Sequence, residues 1–345
     1  MKPINVSIIG YGMSGQYFHL PPLLLNGDYH VKSVMTNNPD NIRLLSSNHP
    51  DLTIIQTFEQ AVNDQDVDLI IIATPNDVHA SYTTRALEAG KHVVVEKPFV
   101  ETYQEASDLF ALARKHQRVL RVFHNRQYDG DILTVHDVVK SGKLGTIVAF
   151  HARFDTFQPH VSHNWRDHEG VMPGVFYDLA PHLLDHALRL FGLPESLYAR
   201  SFIDRPGGTV DDHFEMMLYD HDGLLVTLGA HKLDRHPRPR FELIGTEATY
   251  VKHGFDHPDV LHEASQDTHH PLSDRSQIIF GSHPFQTEQV PLRLGSHYLF
   301  FERLADDIRH PKADDPDKTY ALQVVKLMEL AQSSMKTKKE IIVNM

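Results

Sequence analysis

The run Ile4-Asn5-Val6-Ser7-Ile8-Ile9 reads as a buried strand, and it leads directly into Gly10-Tyr11-Gly12-Met13-Ser14-Gly15. A G-x-G-x-x-G turn placed between a strand and a helix has a defined mechanism. The first glycine permits the tight turn, the second lets the backbone approach a pyrophosphate, and the third allows close helix–strand packing. A helix opening near Met13 then aims unpaired N–H groups at the anion. The alternative, a Gly-rich turn with no ligand, does not need the strand that precedes it. The turn therefore points to a dinucleotide site formed by Gly10, Tyr11, Gly12, Met13, Ser14 and Gly15.

The alternation that follows fits a doubly wound parallel sheet. Strands are expected at Val31–Met35, Leu69–Ala73, His92–Val95 and Val119–Phe123, with helices Ser81–Ala89 and Tyr103–His116 between them. Leu69–Ala73 is apolar throughout, as a central strand covered on both faces requires. Pro21-Pro22 should end or kink the first helix. Beyond residue 123 the pattern changes to a helix at Ile132–Ser141 and a strand at Ile147–Phe154. Hairpins follow at Phe214–Tyr219/Leu224–Ala230 and Phe241–Ile244/Thr249–Lys252. Residues 253–297 read as an irregular excursion, with His253, His257, His262, His269 and His270 as solvated surface residues. Helices Tyr298–Ile308 and Tyr320–Lys336 and a strand at Glu340–Val343 close the chain. With 345 residues, two domains are expected, 1–122 dinucleotide-binding and 123–345 α+β with a mostly antiparallel open sheet. Both faces of Phe214–Tyr219 carry apolar residues, so one face needs a cover, most economically another subunit.

Composition narrows the partners. A net charge of -12 leaves no basic stripe for nucleic acid. No apolar run approaches the ~18 residues that span a membrane, and no secretory leader is visible. The absence of cysteine excludes disulfides and thiolate chemistry and fits a cytoplasmic protein.

Three further segments carry chemistry. Thr74-Pro75-Asn76 with His79 stands at the carboxyl end of a central strand, where open α/β sheets bind ligands. Glu96-Lys97-Pro98 stands at the end of the next strand, where Lys97 can donate to a substrate hydroxyl and lower its pKa. In Tyr177-Asp178-Leu179-Ala180-Pro181-His182, Asp178 and His182 lie one helical turn apart, a carboxylate positioned to orient an imidazole base. A metal reading of His182 and His186 with Asp178 or Asp185 is the alternative; no metal is expected, because His182 already has a role. After the second strand, at Thr36-Asn37-Asn38, no carboxylate stands where an NAD site places one on the ribose 2′-hydroxyl. Thr36 and Asn37, with Arg43 in reach of a 2′-phosphate, favour NADP over NAD, and Asp40 is the residue that would reverse this.

The set G-Y-G-M-S-G, T-P-N-x-x-H, E-K-P and Y-D-L-A-P-H-L-L-D, in this order along nearly the whole chain, resembles the glucose–fructose oxidoreductase/inositol dehydrogenase/rhizopine-catabolism (Gfo/Idh/MocA) family. Phe123–Asp129 and Asn164-Trp165-Arg166 look nearest to its NADP-dependent scyllo-inositol dehydrogenase branch. The resemblance implies a Rossmann domain followed by an α+β domain whose open sheet mediates dimers or tetramers. It also implies reversible hydride transfer between NADP or NAD and a secondary alcohol of a sugar or cyclitol. On this resemblance Lys97 polarises the hydroxyl, His182 takes its proton and Asp178 supports His182. Trp165 and Arg166 fall near the nicotinamide, Asn125 and Arg126 near cofactor or substrate, and Tyr177 in the substrate site. A non-catalytic sensor of nucleotide and sugar is the rival reading, which the retained acid–base set disfavours.

Overall fold

A computed structural model describes residues 2–220, 222–255, 276–311 and 315–344. The chain forms two compact units that interleave in sequence. One contains the residues up to Asn125 together with His297–Leu322, the other Arg126–Ser296 and the residues from Gln323 onward.

The first unit is built on a six-stranded parallel sheet. Its strands are β1 (Ile4–Ile9), β2 (Tyr29–Met35), β3 (Thr53–Ile55), β4 (Leu69–Ile72), β5 (His92–Val95) and β6 (Leu120–Val122), in the order β3-β2-β1-β4-β5-β6. The order reverses between β1 and β4, which puts a topological switch point beside Gly10 and Thr74. All four residues of β4 are fully buried, as their apolar character requires. The helix after the glycine turn is not ended by Pro21-Pro22. A π-helical turn at Gly15–His19 precedes α1 (Leu20–Leu25), and the prolines occupy its first turn, where missing N–H groups cost least.

Strand β3 and the helices α2 (Pro39–Asn48) and α3 (Phe58–Val62) were not foreseen, being short and weakly periodic. α4 (His79–Glu88) and α5 (Tyr103–Lys115) fall where the sequence placed helices. Helix Tyr298–Arg309 joins this unit. The Tyr29 hydroxyl donates to the Phe301 carbonyl at 2.6 Å, Arg309 pairs with Asp28 at 2.7 Å, and Arg121 pairs with both Asp307 and Asp315.

In the second unit, α6 (Gly130–Ser141) and β7 (Ile147–Asp155) are followed by α7 (Gly174–Phe191). Strands β8 (Ser196–Phe202), β9 (His213–Tyr219), β10 (Leu225–His231), β11 (Phe241–Gly245), β12 (Ala248–Lys252), β13 (Ser276–Phe280), β14 (Gln286–Gln289) and β15 (Ile341–Ile342) complete a nine-stranded sheet. Its order is β14-β13-β12-β11-β7-β10-β9-β8-β15, antiparallel except for the parallel pair β7/β10.

The expectation of an irregular 253–297 is therefore corrected. Residues 276–289 continue the sheet as a hairpin, with Gly281 at φ 79° in its turn. The polar, exposed β14 gives no hydrophobic signal. His253 is exposed; His257, His262, His269 and His270 lie outside the described residues. On β9, Phe214, Met216 and Leu218 are buried on one face, whereas Met217 and Tyr219 are exposed on the other.

Candidate active site

Each glycine of the turn has a separate task. Gly10 has φ 105°, and a Cβ there would stand 2.3 Å from the Ala73 carbonyl oxygen. A Cβ on Gly15 would stand 2.4 Å from the Gly10 carbonyl oxygen. These two glycines let the turn press against β4 and against the helix. Gly12 is exposed, and a Cβ there would meet nothing within 4 Å among the described residues, which leaves its backbone open on that side. Met13 is exposed beside it, and Tyr11 is buried. The Tyr11 carbonyl accepts from Gln16 Nε2 at 3.0 Å and Asn41 Nδ2 at 2.9 Å, tying the turn to the segment after β2.

The E-K-P segment is tied to the same turn through Glu96. Its buried carboxylate accepts from Ser14 Oγ and lies 2.9 Å from His19 Nε2. Burial disfavours its charge, but His19, Ser14 and Lys97 together hold its pKa below the usual range. Glu96 and Ser14 thus fix the loop rather than face solvent. Lys97 is half-buried directly after β5, and its backbone N–H donates to the Glu96 carboxylate at 3.3 Å.

His79 clamps two strand ends. Its Nδ1 is 2.9 Å from the Pro98 carbonyl and its Nε2 3.1 Å from the Thr74 carbonyl, while burial pushes its pKa down. A neutral ring can donate to only one of these. Asn76 is buried, Pro75 exposed, and Thr74 Oγ1 is buried with no hydrogen-bond partner among the described residues.

After β2, Thr36 Oγ1 accepts from the Asn38 N–H at 3.3 Å, and Asn37 is exposed, donating to the Gln56 carbonyl at 3.2 Å. Asn38 caps α2 by accepting from the Asp40 N–H at 2.8 Å. Asp40 is exposed and ion-paired with exposed Arg43.

In the second unit, α7 runs through Pro181 without a break and carries Asp178 and His182 on one face. Asp178 lies 3.3 Å from Arg166 Nε, and the Arg166 guanidinium stacks 4.6 Å from the Trp165 ring. His182 is buried with its ring edge-on to Phe154, centroids 6.4 Å apart. Arg126 pairs with Asp129 at 2.9 Å and covers Phe154 at 5.2 Å. Tyr177 is buried, and its hydroxyl accepts from Gln332 Nε2. Asn125 is buried at the end of the first unit's main segment. His186 Nε2 lies 3.2 Å from the Arg126 carbonyl, and burial, assisted by the charge of Arg240, keeps its pKa well below the ordinary value. Asp185 is taken by Arg189 at 2.9 Å. His186 thus meets a main-chain carbonyl, and Asp185 an arginine of its own helix.

Three contributors escaped the sequence reading. Arg240 is buried with its guanidinium 3.7 Å from the Phe154 ring, so Phe154 forms the wall behind His182. An arginine between Pro239 and a strand gives no sequence sign of burial. Asp211 anchors the start of α7, accepting the Val175 N–H on its carbonyl at 2.9 Å and the Phe176 N–H on its carboxylate at 2.7 Å. Arg205 holds Asp167, at the end of the turn bearing Trp165 and Arg166, at 2.8 Å.

The sequence profile described as oxidoreductase family, NAD-binding Rossmann fold, matches residues 4–124, and the Gfo/Idh/MocA C-terminal domain profile matches residues 132–251. The chain belongs to the Gfo/Idh/MocA oxidoreductase family. It is 30% identical to the scyllo-inositol 2-dehydrogenase (NADP(+)) IolW of Bacillus subtilis, over 98% of this chain and 95% of that protein. It is 34% identical to the uncharacterized oxidoreductase YdgJ of Escherichia coli, over 96% of each chain. The solved structure of the oxidoreductase yvaA from Bacillus subtilis superposes with a TM-score of 0.90 at 28% identity, covering 99% of both chains. The chain has the family's α/β architecture, and it is an NAD(P)-dependent dehydrogenase. Among the described residues no helix is long and apolar enough to cross a membrane.

Proposed function

We propose that this enzyme transfers hydride reversibly between NADP and a ring secondary alcohol of a cyclitol or sugar. The observation that carries this reading is the single face of α7 bearing Asp178 and His182, with Asp178 paired to the Arg166–Trp165 stack. The likeness to an NADP-dependent scyllo-inositol dehydrogenase supports the substrate class.

The turn fits a dinucleotide: Gly12 is open, Gly10 and Gly15 admit no side chain, and the buried Thr74 hydroxyl has no partner among the described residues. Gly10–Gly15 would hold the pyrophosphate. Thr36, Asn37 and Arg43 would hold the 2′-phosphate, and Thr74, Pro75 and Asn76 would line the remainder. His79 and Glu96 act as positioning residues for those loops. The bound nicotinamide supplies the hydride acceptor or donor.

Lys97 donates a hydrogen bond to the substrate hydroxyl and stabilises its developing negative charge. His182 accepts the O–H proton, and Asp178 favours the imidazolium that results. Arg126 and Tyr177 frame the substrate, and Asn125, Trp165 and Arg166 the nicotinamide side. We also assign a second copy of the chain to the open sheet face, where Phe202, Met217 and Tyr219 are exposed, giving a dimer or tetramer. The cysteine-free chain suits a cytoplasmic location.

A panel of inositols, aldoses and their keto forms with NADP(H) and NAD(H), followed at the nicotinamide absorbance band, tests the reading. Turnover of a cyclitol or sugar with NADP favoured is expected. Activity confined to acyclic alcohols, or a preference for NAD, would refute the corresponding part.

A further inference from the structure

We propose that Asp204, His213 and His231 form a binding site for a late first-row divalent cation, with zinc the best fit. His213 and His231 are cross-strand partners on β9 and β10, their ring centroids 4.3 Å apart. Asp204 follows β8, and its backbone N–H donates to the Asp212 carboxylate at 2.9 Å, which fixes the loop. One oxygen, Asp204 Oδ2, lies 2.9 Å from His213 Nδ1 and 3.3 Å from His231 Nε2. The three donor atoms all fall within 4.8 Å of one another. Metal–ligand bonds of about 2.0–2.1 Å in a tetrahedron put neighbouring donors about 3.3 Å apart, close to the two aspartate–histidine distances.

The surroundings complete the arrangement. His213 Nε2 lies 3.4 Å from Glu215 Oε1, a carboxylate–histidine contact that would hold the imidazole in the tautomer ligating through Nδ1 once an ion replaced the Nδ1 proton now shared with Asp204. Glu215 is itself fixed by two bonds from Arg153, at 2.7 and 2.8 Å, and by Arg238 at 3.3 Å. A proton shared between His213 and its two carboxylates would explain His213 alone. It leaves unexplained His231 Nε2, which is buried, makes no hydrogen bond among the described residues and lies beside the same aspartate oxygen. In the single chain the imidazole side chains are 19% and 25% exposed and that of Asp204 38%. Two imidazoles and one carboxylate suit zinc, cobalt or nickel and not magnesium.

The bound ion would join the segment after β8 to β9 and β10. Its neighbour Arg205 is the residue that holds Asp167. The site therefore braces the chain one residue from the contact that supports the Trp165–Arg166 turn, without contributing to hydride transfer.

The full chain, stripped with chelator, is titrated calorimetrically with zinc and, separately, with cobalt and magnesium. One equivalent of zinc, a tetrahedral cobalt absorption band and no magnesium binding are expected. Asp204→Asn, His213→Gln and His231→Gln should each weaken zinc by more than the roughly 10–100-fold that loss of an outer-shell partner costs. Zinc should raise the melting temperature of the wild type and not of these variants. Should a histidine variant fail to fold, Asp204→Asn at the exposed position still gives the readout. No zinc binding by the wild type, or undiminished binding by Asp204→Asn, would overturn the proposal.

Discussion

Alanine at position 12 separates what the glycine turn does for a ligand from what it does for the fold. Gly12 has ordinary φ and, among the described residues, no atom within 4 Å of where an alanine Cβ would stand, so the added methyl costs the folded protein almost nothing. Loss of glycine's freedom in the unfolded chain offsets even that, by about 0.4–1 kcal/mol. The same methyl stands where phosphate oxygens would meet backbone N–H groups. Losing one hydrogen bond to a charged oxygen costs about 1.5–3 kcal/mol, which is roughly 10–150-fold in affinity. Gly10 inverts the balance. Its φ of 105° costs an L-residue about 1–2 kcal/mol, and a methyl 2.3 Å from the Ala73 carbonyl adds about 1–3 kcal/mol. Thermal melts and calorimetric titration with NADP+ read both quantities. Gly12→Ala should melt with the wild type and bind NADP+ at least tenfold more weakly, about 1.4 kcal/mol. Gly10→Ala should melt several degrees lower. A folded Gly12→Ala that binds NADP+ as the wild type does would refute the reasoning.

Other consequences follow from single contacts. Burial raises the Asp211 carboxyl from 3.8 to about 6, with the neighbouring charge of Asp212 adding to it, despite the N–H groups it accepts from α7. A carboxyl raised on folding favours the fold fully below its unfolded pKa, and that contribution is lost as pH rises through the folded value. Asp211→Asn should therefore match the wild type below about pH 3 and exceed it by up to about 3 kcal/mol above pH 7, in denaturant titrations. Arg43→Ala should raise the KM for NADP+ about tenfold and leave that for NAD+ unchanged in steady-state assays. Glu96→Ala leaves His19 buried without its partner and should lower stability by about 3 kcal/mol, measured by urea unfolding.

Much of the first unit was legible because its signals are local. Four consecutive buried aliphatics make β4, and the glycine turn carries its geometry in three residues. Short elements were not: β3 has three residues, and α3 has five. The membership of helix Tyr298–Arg309 in the first unit rests on Phe301 meeting Tyr29 and on two ion-pairing residues far away in sequence, which no periodicity reveals. In the candidate site, Asp178 and His182 could be paired from helical spacing alone. Arg240 against Phe154 and Asp211 at the start of α7 could not, since each partner is supplied by a distant strand or loop.

Hydride transfer measured in a single turnover, with the best substrate of the panel and saturating NADP+, bears most directly on the roles of Lys97 and His182. His182→Ala and Lys97→Ala should each bind NADP+ as the wild type does and form NADPH about 10²–10⁴-fold more slowly. A wild-type rate of NADPH formation in either folded variant would contradict the role assigned to that residue.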